Sequence, residues 1–396
     1  MQERPFLVAG GGIGGLAAAL GLARKGIASI VLEQASTLGE IGAGIQLGPN
    51  AFHAFDYLGV GDRARAEAVY VDGLVLMDAL DDSEIATIPV DQPFRDRFKN
   101  PYAVVHRADL HGVLLDACRQ SAEIELRTDA EVVGYDQHGS GVAAALKTGG
   151  RVDGAALIGA DGLRSAVRAQ LVGDGEPRVS GHTTYRSVIP TKQMPEELRW
   201  NAATLWAGPK IHIVHYPLSG WNVFNLVVTC HNDAPEAVAG KPVTKDEVRE
   251  NFGHIAARPR QIIEHGEDWK LWVLCDRDPN ETWTDGRVAL LGDAAHPMLQ
   301  YMAQGACMAL EDAVCLSHKL ETHDRDIEAA LEAYRLERVV RTARVQMSSR
   351  LMGDYVYHPD GAERLVRNAV IRAKTREDFY NDLHWLYGGT GLDSGL

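Results

Sequence analysis

The sequence predicts an α/β protein with a dinucleotide-binding Rossmann domain, an inserted β-rich domain and C-terminal helices. Three observations carry this. A glycine-rich turn joins a strand-like run to a helical run near the N-terminus. From about His182 the pattern changes to alternating, aromatic-containing strands. From Ile327 onward the chain reads as long amphipathic helix.

The N-terminal unit is built from residues with separate physical tasks. Phe6 to Ala9 is a short apolar run, expected as a buried strand. Gly10, Gly12 and Gly15 satisfy GxGxxG, the helical stretch LAAALGLARKG follows, and SIVLE ends at Glu33. In such a unit the first glycine permits a tight turn, the second lets backbone approach a pyrophosphate, and the third lets helix pack on strand. The helix N-terminus then faces the phosphates, and Glu33 is placed to accept hydrogen bonds from a ribose diol. EIGAGIQLGPNA, from Glu40, is glycine-rich where a simple dehydrogenase would continue with ordinary βα units. Close backbone approach there suggests a longer cofactor, FAD rather than NAD.

Composition narrows the partners. The 396 residues are 45% hydrophobic and 24% charged, as in a globular enzyme, and the net charge is -14. That charge argues against nucleic acid and anionic membrane surfaces. No apolar run is long enough to span a bilayer. The five cysteines form no CxxC pair and no metal-ligand spacing, so reduced thiols, no metal and a cytoplasmic location are expected. The start, MQERPFLVAGGG, lacks a basic segment before an apolar core, so no secretory signal is expected.

GADGLRSAVR, from Gly159, and LGDAAHP, from Leu291, complete a set of three ordered fingerprints. Together they resemble the class A flavoprotein aromatic hydroxylases, single-component FAD monooxygenases with a glutathione-reductase-like FAD fold. The resemblance covers nearly the whole chain. It implies that Asp161 supports the pyrophosphate region, that Asp293 binds the ribityl chain, and that Arg107 in HRADLH contacts the phosphate and ribityl part. It also puts Pro297 beside the reacting edge of the flavin, with Gly305 and Ala306 opening a helix toward its pyrimidine edge. The positive end of that helix would favour negative charge there. The segment between Pro297 and Gly305, with Gln300 and Tyr301, must then pass the reaction site. The domain division expected is 1–71, 107–178 and 277–350 for FAD, 72–106 and 179–276 for the β-rich substrate domain, and 351–396 as a C-terminal helical segment. The aromatic tail TREDFYNDLHWLYG suggests that this segment contacts the second copy in a homodimer.

In IHIVHY, residues two apart share a strand face. His212, Val214 and Tyr216 therefore point one way and His215 the other. PKIHIVHYPL and HPMLQYMAQGA are most similar to the 3-hydroxybenzoate 6-hydroxylases. That likeness implies His212 activates the phenol, while Tyr216 and Gln300 orient the ring. Salicylate hydroxylases tend to carry Pro-His-Gln-Gly after the His-Pro turn. The 6-hydroxynicotinate 3-monooxygenases share the MAQGA run but usually carry histidine at the position of Tyr301; they are the nearest rival. A flavoprotein oxidase and a redox-sensing flavin-binding protein are alternatives of other classes. With a single complete dinucleotide unit in the sequence, NADH or NADPH, NADH favoured, is expected as a transient co-substrate. The resemblance implies O2 chemistry through a flavin C4a-hydroperoxide, turning a phenolic aromatic acid, 3-hydroxybenzoate first, into 2,5-dihydroxybenzoate.

Overall fold

The computed structural model describes residues 4–39, 44–139 and 141–391. Residues 40–43, the start of the second glycine-rich segment, lie outside them. The first sheet has the strand order Thr284–Asp285, Val288–Leu290, Leu157–Gly159, Phe6–Ala9, Ser29–Leu32, Ile124–Arg127. All neighbours in it are parallel except the first pair. Its central strands are continuous apolar runs because both faces are covered; Phe6–Ala9 is buried throughout. The chain runs outward from Phe6–Ala9 through Ser29–Leu32 to Ile124–Arg127, then returns on the other side through Leu157–Gly159. The strand order thus reverses between Phe6–Ala9 and Leu157–Gly159, and a crevice opens at their carboxyl ends.

The second sheet has eight strands, in the order Lys241–Pro242, Lys270–Asp276, Arg178–Pro190, Val223–His231, Ile211–Leu218, Ala202–Gly208, Gly73–Asp78, Glu84–Pro89. It is antiparallel apart from the pair formed by Ala202–Gly208 and Gly73–Asp78. One of its faces carries a separate core of Trp206, Ile213, Phe224, Leu226 and Val228. The other face looks toward the crevice of the first sheet. Strand Ala103–His106, expected with the β-rich insert, instead pairs with Gly44–Leu47 and Val69–Tyr70 in a three-stranded sheet.

Helix Gly305–Thr322 packs against both Ile13–Arg24 and the long helix Ile327–Met352. Two more helices, Gly361–Arg372 and Arg376–Tyr387, close the chain. Part of the aromatic tail packs within the chain. Tyr380 and Tyr387 are buried, with ring centroids 5.5 and 6.1 Å from Phe94. The apolar residues left outside are elsewhere: Leu336, Val340, Met347 and Leu351 line one face of Ile327–Met352, and Leu365, Val366 and Val370 lie on the next helix.

Candidate active site

The cavity between the two sheets measures about 810 Å³ and runs from the glycine turn to the second sheet. At one end are Gly10, Gly12 and Glu33. Gly10 has φ +102°, and a Cβ on it would lie 2.4 Å from the Ala160 carbonyl oxygen, so the two crevice-forming turns touch. Gly15 does not line the cavity; a Cβ there would lie 1.9 Å from the Gly10 carbonyl oxygen. It therefore acts through close packing of helix on turn. The Glu33 carboxylate accepts from Gly11 N at 2.7 Å and Ala35 N at 2.9 Å. Buried His111 adds a contact with the Gly11 carbonyl at 2.8 Å.

Midway along the cavity lie Arg107, Asp161 and Asp293. Arg107 opens helix Arg107–Gln120. Asp161 accepts hydrogen bonds from Ser165 Oγ, Ala166 N and Val167 N, so its carboxylate fixes the start of the helix Ala166–Leu171. Burial pushes its carboxyl up, and those hydrogen bonds work against the shift. Asp293 stands exposed on the cavity wall in the turn Gly292–Ala294. That turn is tied from behind. Arg168, fully buried, donates to the Ala294 and Ala295 carbonyls at 2.9 and 2.7 Å. Asp312 accepts from Gly292 N at 3.0 Å, and its Oδ2 lies 2.6 Å from His296 Nε2. Asp312 and Glu311 are in turn paired with buried Arg338 at 2.7 and 2.8 Å. His296 and Arg338 hold the Asp312 carboxyl down at about 2 despite its burial. Pro297 is buried and is not among the residues lining the cavity, its carbonyl accepting from Gln346 at 3.1 Å. It turns the chain so that Met298, Leu299 and Gln300 face inward instead.

Gly305 and Ala306 line the cavity at the start of an 18-residue helix. A Cβ on Gly305 would have only Asp293 Oδ1 within reach, at 3.9 Å, so open space lies before the helix N-terminus. Ala303, two residues earlier, has φ +51°, a strained conformation for a residue other than glycine. The residues fit FAD. The glycine turn and two helix N-termini can take a pyrophosphate and an electron-rich ring edge. Glu33 and Asp293 are acceptors for hydroxyl groups, and the space runs on past the nucleotide end.

The far wall is the second sheet. His212 pairs with Thr229 and Tyr216 with Asn225, while Val214 and Val227 fill the row between. His212, Val214 and Tyr216 line the cavity. His215 faces the other way and accepts from Trp206 Nε1 at 3.1 Å. Tyr216 packs so tightly on Gly44 that a Cβ there would come within 2.6 Å of its ring. Burial pushes its phenol well up. His212 Nδ1 lies 2.8 Å from His358 Nε2. Burial, then the neighbouring His358 and His182, holds His212 well below its usual pKa. His358 is likewise pulled down to about 3 by burial. Both are neutral, so one ring nitrogen donates to the other. With Nδ1 so engaged, Nε2 of His212 is left for a ligand.

Gln300 lines the cavity, but Tyr301 does not: its hydroxyl meets His182 Nδ1, and its ring packs beside His212 and Tyr357. Sequence reasoning missed Tyr357 and His358, which arrive from a wide π-type turn, Gly353–Tyr357, in the segment expected to stand apart as C-terminal helix. It also missed Arg186, which lines the cavity from Arg178–Pro190. Among the described residues no cluster of three or more His, Cys, Asp and Glu could hold a metal. Nor is any helix among them long and apolar enough to cross a membrane.

Comparisons with known proteins show the family. The FAD binding domain family matches residues 3–349. The 3-hydroxybenzoate 6-hydroxylase 1 of Aquipseudomonas alcaligenes is 57% identical over 383 residues, 97% of this chain and 97% of that protein. The 3-hydroxybenzoate 6-hydroxylase of Polaromonas naphthalenivorans (strain CJ2) is 51% identical over 386 residues, 98% of this chain and 96% of that one. The crystal structure of Klebsiella pneumoniae HpxO complexed with FAD and uric acid superposes with a TM-score of 0.86 at 26% identity, covering 97% of this chain and 96% of that one. The chain therefore belongs to the FAD-binding family and, within it, to the class A FAD-dependent aromatic hydroxylases. It is a monooxygenase that uses FAD and NAD(P)H, and it acts on an aromatic acid.

Proposed function

We propose that the substrate is 3-hydroxybenzoate and that it is hydroxylated para to its hydroxyl, giving 2,5-dihydroxybenzoate. The observation that carries this is the convergence of His212, Tyr216 and Gln300 on one cavity, in a chain 57% identical to a 3-hydroxybenzoate 6-hydroxylase. Bound FAD, reduced by NAD(P)H, supplies activated oxygen for electrophilic transfer to the ring. The protein's task is to bind the ring, exclude water and take the phenol proton. His212 accepts that proton at Nε2, since Nδ1 is turned to His358. Burial keeps it neutral, and with Nδ1–H donating to His358 its Nε2 presents a lone pair to the phenol proton. Tyr216 offers a protonated hydroxyl to the ring substituents, and Val214 and Val227 make a dry floor.

For the cofactor, Gly10, Gly12 and the helix packed through Gly15 take the pyrophosphate, and Glu33 the adenosine ribose. Arg107 and Asp293 take the phosphate and ribityl parts, Asp293 held by the Gly292 turn. Asp161 acts through the helix it caps. Gly305 and Ala306 meet the pyrimidine edge. One complete dinucleotide unit is present among the described residues, so NAD(P)H, with NADH the first choice, binds transiently. The five cysteines are free thiols, four of them buried, which suits the cytoplasm. The exposed stripe Leu336, Val340, Met347 and Leu351 is of the kind that marks an interface and supports a homodimer through that helix.

The test is aerobic NAD(P)H consumption with product identification, comparing 3-hydroxybenzoate, salicylate, 4-hydroxybenzoate and 6-hydroxynicotinate. Stoichiometric 2,5-dihydroxybenzoate from the first is expected. Product from 6-hydroxynicotinate or salicylate alone would overturn the substrate assignment.

A further inference from the structure

We infer that Arg186 is the anchor for the carboxylate of the aromatic acid, and that its place on the sheet selects a ring whose carboxylate is meta to the hydroxyl. The inference rests on the assignment of this cavity to an aromatic acid whose phenol meets His212.

Arg186 is a desolvated cation without a counter-ion. It is part-buried and lines the cavity, and desolvation pulls its pKa down. No carboxylate among the described residues lies within ion-pair distance of it. Its one hydrogen bond among the described residues runs from Nη2 to the neutral Gln300 amide oxygen, at 3.2 Å. Among the described residues buried Nε has no hydrogen-bond partner and Nη1 makes no hydrogen bond. The charged neighbour that acts on it unfavourably is another cation, Arg107. A buried charge left in this state is costly unless a partner arrives. Other buried or part-buried arginines nearby are satisfied: Arg168 by Asp174, Arg338 by Glu311 and Asp312, Arg341 by Glu311. Arg186 is also held in place. The Trp272 ring lies 5.5 Å from its guanidinium carbon. Gln300 Nε2 reaches Thr184 and Thr229 at 3.4 and 3.3 Å, which turns the amide oxygen toward Arg186.

The sheet register converts this into geometry. Thr184, Thr229 and His212 form one row across three strands. Arg186, Val227 and Val214 form the next row on the same face, and Tyr216 pairs with Asn225 in the row beyond. Arg186 is thus one row from His212 and two strands away, with strands about 4.8 Å apart and same-face rows about 6.8 Å apart. The two side chains converge over the Val227–Val214 floor from separate directions. A ring lying on that floor can meet His212 with its hydroxyl and Arg186 with a carboxylate two ring positions away. In an ortho acid both groups lie at one end of the ring, so it engages one residue and leaves the other empty. The contact would use Nη1 first, with Nη2 shared with Gln300; guanidinium and carboxylate pair well in this way.

The test uses FAD-loaded enzyme and its Arg186→Gln and Arg186→Lys variants, without NAD(P)H. Binding of 3-hydroxybenzoate and of the neutral 3-hydroxybenzyl alcohol is titrated by the change in flavin absorbance, and FAD content is measured alongside. Arg186→Gln is expected to weaken the acid about 30-fold or more and the alcohol by less than about 3-fold, with FAD retained; Arg186→Lys should recover part of the loss. Equal weakening of acid and alcohol, or unchanged acid binding, would overturn the inference. Loss of FAD from both variants would assign Arg186 to the cofactor and also overturn it. If the wild-type enzyme prefers another aromatic acid, the substrate assignment fails alone, and the same comparison with that acid and its neutral analogue decides the anchor.

Discussion

His212 combines two properties that the proposed reaction needs. Its Nδ1 is committed to His358, and its surroundings keep it uncharged. Replacing it with alanine should lower hydroxylation by about 10²–10⁴-fold while FAD remains bound, measured as product formed per bound flavin; unchanged turnover would remove the base assignment. His212 and Tyr216 were readable from sequence because a strand repeats its face every two residues. Arg186 was not. It is one arginine within Arg178–Pro190, and nothing local separates it from a solvated side chain. Its meaning comes from Val227 and Thr229 on the neighbouring strand and from the lack of a carboxylate nearby. His358 was hidden for the same reason: it follows a turn far along the chain and meets His212 only in the fold.

The Gly292–Ala294 turn shows how an element can be held from behind. Asp312, on the helix Gly305–Thr322, accepts from Gly292 N, while Arg338 on the next helix neutralises Asp312 and Glu311. Removing the arginine leaves buried Asp312 with His296 alone and buried Glu311 with Arg341 alone. Arg338→Ala should therefore destabilise the protein by about 3–5 kcal/mol, measured by urea unfolding, and FAD should dissociate more readily as Asp293 loses its support. Stability equal to wild type would mean that the pairs contribute nothing net. The glycine turn, its flanking strands and Glu33 were legible because the whole signal lies in one short stretch. Local pattern could not show which residues after His296 face inward; Met298, Leu299 and Gln300 line the cavity. In the tail, Phe94, Phe98 and Tyr102 supply intrachain ring partners for Tyr387 that local pattern could not name.

At the scale of the molecule, the cavity lies where the parallel sheet reverses its strand order and the antiparallel sheet closes over it. Arg107, Arg164 and Arg186 line it together with Glu33, Glu131, Asp161 and Asp293, so any attraction for an anion is local to an arginine and not a property of the whole cavity or of a chain of net charge -14. The stripe on Ile327–Met352 belongs to this scale too. Val340, 74% exposed at its centre, can be changed to glutamate without touching the site. Val340→Glu should turn a dimer into a monomer by light scattering with FAD retained; a wild-type monomer would refute the interface. The central claim is most directly tested by supplying isotopically labelled O2, NADH and 3-hydroxybenzoate to the purified enzyme and identifying the product. The account predicts 2,5-dihydroxybenzoate carrying one labelled oxygen for each NADH consumed. A 2,3- or 3,4-dihydroxybenzoate, or hydrogen peroxide with the acid recovered unchanged, would contradict it.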